Sequence, residues 1–120
     1  MTLDIKPDEA LRLMHEVSLG LVRGKSPGVM PDFTVRQLAI LFTIYLEAPP
    51  HTVRGLAGRL GVGKPVVTRA LTSMGKQGMV ARMRDEKDKR NVVIHRTPKG
   101  SSTVATLANM VHAKARELGV

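Results

Sequence analysis

The stretch from Thr52 to Val80, TVRGLAGRLGVGKPVVTRALTSMGKQGMV, leaves few folds open. Its second half carries Val67, Ala70, Leu71 and Met74 at i, i+3, i+4 and i+7, which is one apolar stripe of a helix. Pro65 suits the first turn of that helix and Gly78 the residue past its end, so a helix is predicted from Lys64 to Gln77. Gly61-Val62-Gly63 makes a turn ahead of it. Before the turn, Thr52 caps a short helix whose Leu56, Ala57 and Leu60 point inward. Two short helices joined in this way read as a helix-turn-helix.

Met79 to Met83 and Asn91 to Arg96 are predicted strands. The run between them, Arg84-Asp85-Glu86-Lys87-Asp88-Lys89-Arg90, is too polar for a core and makes a charged hairpin tip. A helix-turn-helix followed by such a hairpin is a winged helix. Upstream, Pro7, Asp8 and Glu9 open a helix that runs to about Arg23 with Ala10, Leu11, Met14, Val17 and Leu21 on one side. Gly24 to Pro31 is loop chemistry. Thr34 and Gln37 form a capping-box pattern for a second helix, with Leu38, Leu41, Phe42 and Tyr45 as its expected apolar face and Ala48-Pro49-Pro50 as its stop. Thr97-Pro98 opens a last helix, lined by Val104, Leu107, Ala108, Val111, Ala115 and Leu118, that reaches the C-terminus. The expected fold is mainly α with a small β-hairpin wing. It forms a single domain over 1–120, divided into an N-terminal dimerisation helix and loop (1–33), a winged helix-turn-helix core (34–97) and a C-terminal dimerisation helix (98–120).

Cysteine is absent, which removes disulfides, cysteine zinc sites, thiol catalysis and thiol redox sensing. The N-terminus has no apolar run after a basic patch, and the longest apolar stretch, Leu38 to Leu46, is far short of the roughly 20 residues a membrane span needs. No membrane partner is expected, and the location read from this is cytoplasmic, with the nucleoid. The four histidines, His15, His51, His95 and His112, are widely spaced and match no metal or triad pattern, so neither a metal, a cofactor nor an enzyme activity is implied.

The net charge is +9, and its location says more than its size. From Arg54 to Lys99 there are 12 Lys/Arg against 3 Asp/Glu, whereas the rest of the chain holds 7 of each sign. A solvated basic face would meet the same count. Confinement of the whole excess to one segment favours a footprint for a phosphate backbone. Opposite the apolar stripe of the Lys64 helix lie Pro65, Arg69, Thr72 and Lys76, with Val66 and Thr68 on the flanks. Lys64 and Arg69 stand near the helix N-terminus, the end a recognition helix presents to the major groove. Arg69 can bond guanine in a bidentate manner, Val66 or Thr68 can touch a thymine methyl, and Lys76 suits a phosphate. Arg54, on the preceding helix, completes the basic patch. The hairpin tip offers Lys87, Lys89 and Arg90 to an adjacent minor groove, with Asp88 placed to hold the Arg90 guanidinium.

From Val53 to Gly100 the chain resembles the DNA-binding core of the MarR family, on LAGRLGVGKPVVTRALTSMGKQGMVAR and then DKRNVVIHRTPKG. The second run is similar to the family's wing signature: Asp-x-Arg, a strand, and Thr-Pro-Lys-Gly opening the next helix. The resemblance implies a homodimer built from the first and last helices and a palindromic operator in double-stranded DNA. It places the Lys64–Lys76 helix in the major groove and Arg90, oriented by Asp88, in the minor groove. It also implies repression relieved by a small-molecule effector. The chain departs from the family in three ways. Gly63 stands where a capping Ser is usual, and Gly75 where Glu is usual. A separate C-terminal helix is expected to be missing or reduced. The alternative function is a winged helix used only for protein contacts, which would have no need of a segregated basic face. A single-strand RNA reader would need aromatics, and the basic segment has none.

Overall fold

The computed structural model describes residues 4–23 and 31–119, so most of the expected loop from Gly24 to Pro31 and the N-terminal Met1 to Leu3 lie outside the described residues. In chain order the elements are α1 (Pro7–Arg23), α2 (Val35–Leu46), β1 (His51–Thr52), α3 (Val53–Leu60), α4 (Lys64–Lys76), β2 (Val80–Arg84), β3 (Val92–Arg96) and α5 (Pro98–Glu117). These are five helices and a three-stranded antiparallel sheet in the order β1-β3-β2. The chain forms two compact units, Met1–Asp32 with Ala105–Val120, and Phe33–Val104.

The second unit holds nearly all of the core. Ile40, Leu41 and Ile44 of α2, Leu56 and Ala57 of α3, and Val67, Ala70, Leu71 and Met74 of α4 meet Met79, Val80 and Ile94 of the sheet region. The stripe expected on α4 is the stripe that is buried. That of α2 is rotated from expectation: Leu38 and Tyr45 are only half-buried and Phe42 is exposed, while Ile40 and Ile44 carry the core contact. The sequence VRQLAILFTIYL is apolar nearly all round, so spacing alone cannot say which side turns inward. The ends of α2 are defined by hydrogen bonds. The Gln37 amide donates to Thr34 Oγ1 at 3.0 Å, and the Thr34 amide donates to Gln37 Oε1 at 2.9 Å. At the far end, Arg96 of β3 donates from Nε to the Ile44 carbonyl at 2.8 Å and from Nη2 to the Glu47 carbonyl at 3.1 Å.

Two strand details differ from the sequence reading. The hairpin gains a third strand, β1, which pairs His51 with Ile94 and Thr52 with Val93. The strands themselves start one residue later, at Val80 and Val92. Met79 is withheld from β2 because it still closes α4: its amide donates to the Met74 carbonyl at 3.0 Å and that of Gly78 to Gly75 at 3.0 Å. Gly78, at φ +75°, takes the left-handed step this closure needs.

Tyr45 joins three segments of this unit. Its hydroxyl donates to the Met79 carbonyl at 2.7 Å and accepts from the Thr97 amide at 3.0 Å. Thr97 Oγ1 donates to the Gly78 carbonyl at 2.6 Å and accepts from the Gly100 amide at 2.9 Å, which caps α5 as expected. Gly100 is buried against the Tyr45 hydroxyl and the Met79 carbonyl, with no room for a Cβ. Nearby, Arg59 donates from Nε to both carboxylate oxygens of Glu47, at 3.1 and 3.2 Å. That bond, with the Arg59 charge, holds the Glu47 carboxyl below its ordinary range.

In the first unit, α1 has no buried residue, and Leu11 and Met14 are each 68% exposed. Gly20 lies against Met110 of α5, and Lys114 of α5 stands 3.9 Å from Glu16.

Candidate nucleic-acid interface

The N-terminus of α4 is left open. Gly63 is its cap residue and supplies no side-chain hydrogen bond, and the first turn holds no acid. It holds Lys64 instead, whose charge opposes the positive end of the helix dipole. These choices disfavour the isolated helix and favour an anion in front of it. With Val67, Ala70, Leu71 and Met74 buried, Lys64, Pro65, Thr68, Arg69 and Lys76 are exposed, and Val66 and Thr72 are half-buried.

A cleft of about 650 Å³ separates α4 from the wing. Arg54 lines it from α3, Lys64 and Thr68 from α4, and Asp88 and Arg90 from the wing, so five of the residues singled out in the sequence share one surface. Three cations there face one carboxylate. Thr52 and Asn91 also line the cleft. They are hydrogen-bonding side chains that sequence reasoning missed, because neither carries charge or breaks a pattern.

The wing tip is shaped by its own side chains. Asp85 Oδ1 accepts from the Lys87 amide at 3.0 Å, Asp88 Oδ1 from the Arg90 amide at 3.1 Å, and Arg84 Nη1 donates to the Lys89 carbonyl at 3.0 Å. The Arg90 side chain is 96% exposed, with its Nε 3.7 Å from Asp88 Oδ1. A pair this exposed adds little to stability, and it leaves the other guanidinium nitrogens facing solvent. Lys87 and Lys89 are exposed at the tip and do not line the cleft; Lys76 is exposed at the far end of α4.

The Thr72 hydroxyl is already committed. It donates to the Thr68 carbonyl at 2.9 Å and accepts from Arg82 Nη1 at 3.2 Å. Thr72 therefore lays Arg82 of β2 alongside α4. The sequence marks Arg82 only as one cation among twelve in the basic segment.

Among the described residues no three His, Cys, Asp or Glu side chains gather as a metal site, and no helix is long and apolar enough to cross a membrane. His51 is buried, and its Nε2 lies 3.2 Å from the Glu47 carbonyl, to which it donates.

The MarR family model matches residues 33–92, half of the chain, from the start of α2 to the start of β3. The chain belongs to the MarR family. No curated protein sequence matches it. Among solved structures, the transcriptional regulator Tm0710 of Thermotoga maritima is 23% identical, with a TM-score of 0.73 over 92% of this chain and 72% of its own. A mutant of S. aureus MepR, bound to an oligodeoxyribonucleotide, is 19% identical, with a TM-score of 0.77 over 91% of this chain and 75% of its own. CouR of Rhodococcus jostii RHA1, bound to p-coumaroyl-CoA, is 22% identical, with a TM-score of 0.64 over 90% of this chain and 71% of its own. At these identities the likeness shows the fold, a winged helix. In this MarR-family chain β1, β3 and β2 form the wing's sheet and α4 is the second helix of the helix-turn-helix.

Proposed function

We propose that this MarR-family chain is a transcriptional regulator that binds duplex DNA as a homodimer, places α4 in the major groove and seats a backbone phosphate in the cleft between α4 and the wing. The observation that carries this is the convergence of Arg54, Lys64 and Arg90 on that cleft, beside a helix N-terminus that lacks both a cap and an acid. A phosphate supplies the negative charge that this end of α4 lacks. Arg90 reaches past it toward the minor groove, and Pro65, Val66, Thr68 and Arg69 face base edges or phosphates, while Lys76 serves a phosphate farther along. The MepR structure with its oligodeoxyribonucleotide supports DNA as the partner. In the cell the protein acts in the cytoplasm, on the nucleoid, as a repressor at a palindromic operator and has no catalytic role. Release by a small-molecule effector is supported by CouR with its p-coumaroyl-CoA.

Exposed apolar surface supports dimerisation. Leu11, Met14 and Val22 of α1 are each more than 60% exposed, and covering them by a second copy through α1 and α5 removes that area from water. The protein is expected to sediment as a dimer at micromolar concentration; a monomer there would sink this part of the reading.

The DNA reading is tested by fluorescence anisotropy, titrating a labelled duplex from upstream of the protein's own coding sequence at several salt concentrations. Log affinity is expected to fall against log salt with a slope near −0.9 per phosphate neutralised. Arg90→Ala is expected to weaken binding about tenfold or more, since removing a groove-inserted arginine costs roughly 1–3 kcal/mol. Tight binding indifferent to Arg90→Ala would remove the wing from the interface. No binding at low salt would shift the reading to a protein-contact module.

A further inference from the structure

A second cleft lies on the other flank of α4. It holds about 300 Å³ and is lined by Thr34, Arg36 and Gln37 of the α2 start and by Val66, Arg69 and Ala70 of α4. Among the described residues no acid lines it. Arg36 and Arg69 are both exposed, and among the described residues Arg69's only hydrogen bond is a long one, from Nε to the Pro65 carbonyl at 3.4 Å, which leaves its terminal nitrogens free. In the capping box Thr34 Oγ1 and Gln37 Oε1 both act as acceptors from backbone amides. The two arginines are the charged donors of this cleft.

The position of this cleft is set by helix geometry. At about 100° per residue, the buried stripe of α4 points one way and Pro65, Thr72 and Lys76 point nearly opposite. Lys64 and Thr68, which line the wing-side cleft, lie roughly 90° to one side of that outward direction, Val66 lies roughly 90° to the other, and Arg69 lies about 30° off the outward direction toward Val66. A helix is about 10–12 Å across with its side chains, and the B-DNA major groove is about 12 Å wide. A helix seated there fills the groove, and the sugar-phosphate backbones of the two strands must pass on its two flanks.

We infer that Arg36 and Arg69 form a second phosphate site, which holds the backbone of the DNA strand opposite the one held in the wing-side cleft. This rests on the DNA-binding reading above and adds to it a residue outside the basic segment. It also assigns Arg69 to backbone rather than to guanine. The duplex is then gripped from both sides of α4: by Arg54, Lys64 and Arg90 on one strand, and by Arg36 and Arg69 on the other.

The test uses the full chain and mixed-sequence duplexes, so that no operator need be known. Arg36→Ala is expected to reduce the salt slope by about 0.9, one phosphate's worth, and to weaken binding severalfold and equally on unrelated duplexes. Arg36→Lys restores most of the slope, because a phosphate accepts either cation. Arg12→Ala, an equal change in net charge on α1, leaves the slope in place. A scan of single methylphosphonates, each of which neutralises one phosphate, is made instead on the duplex from upstream of the protein's own coding sequence, where specific binding fixes the register, and it assigns the strand. Within each half-site, one position on the strand opposite the Arg90-sensitive one weakens the wild type and leaves Arg36→Ala unaffected. Thermal melts show that the variants are folded. The inference is overturned if Arg36→Ala matches the wild-type slope, if Arg12→Ala loses as much, or if, within one half-site, the Arg36-sensitive phosphate lies on the same strand as the Arg90-sensitive one. Failure of the wild type to bind any duplex would overturn the DNA reading along with it, whereas normal wild-type binding with an inert Arg36 would overturn the second site alone.

Discussion

Gly100→Ala is expected to destabilise the folded chain by roughly 3 kcal/mol, against the intrinsic preference of a helix for alanine. Gly100 stands in the first turn of α5, where alanine would otherwise gain about 1 kcal/mol over glycine. Its Cβ, however, would overlap the Tyr45 hydroxyl and the Met79 carbonyl. The Tyr45 ring can shift only by giving up its bonds to Met79 and Thr97, each worth about 1 kcal/mol net, and the carbonyl is backbone at the end of a closed helix turn. Thermal melts followed by circular dichroism should show a midpoint lower by on the order of 10 °C. Tyr45→Phe in the same chain should recover only part of the loss, because the Met79 carbonyl remains. Gly20→Ala is the internal contrast. The nearest atoms to its Cβ all belong to the Met110 side chain, the sulfur at 2.6 Å, and that flexible side chain can turn away. A Gly100→Ala midpoint equal to or above that of the wild type would show that α5 starts in some other way.

Lys64→Glu is expected to move stability and DNA affinity in opposite directions. An acid in the first turn of α4 suits the dipole and should add about 0.3–1 kcal/mol to folding. The same substitution puts a negative charge into the cleft lined by Arg54 and Arg90, where a phosphate is proposed to sit. Like charges forced together at an interface cost several kcal/mol, on the order of a 100-fold loss of affinity. Paired measurements on one preparation, a melt and an anisotropy titration, should therefore show a raised midpoint and nearly abolished binding. A variant that melts higher and still binds duplex DNA would remove the α4 N-terminus from the interface.

Much of this was legible in the residues, and the failures have physical reasons. The stripe of α4 could be phased because charged and polar residues bound it on both sides. The stripe of α2 could not, since the helix is apolar nearly all round and only tertiary contact chooses Ile40 and Ile44 over Phe42. β1 is two residues long, too short for any alternation to register, and exists because β3 offers it a partner. Gly100 entered the sequence reading only as the last residue of Thr-Pro-Lys-Gly; its necessity comes from Tyr45, which is remote along the chain. At the candidate interface, Arg54, Lys64, Thr68, Asp88 and Arg90, each singled out in the sequence, line one cleft. Arg36, proposed above as a phosphate contact, drew no notice because it lies where basic and acidic residues balance, and the hydrogen bonds of the outward-facing Thr72 to Thr68 and Arg82 depend on contacts that spacing does not show.

The two hydrogen bonds from Arg96 to the end of α2 make the base of the hairpin a fulcrum and the hairpin itself a lever. From Arg96 to Arg90 the chain covers about 20 Å at 3.3 Å per residue. A tilt of about 5° at the base would thus carry the tip roughly 1.7 Å, several times the 0.5 Å range over which an N–H···O bond stays good. In the proposed DNA complex, a slight shift of the last turn of α2 is magnified at Arg90 into the difference between touching a narrow groove and missing it.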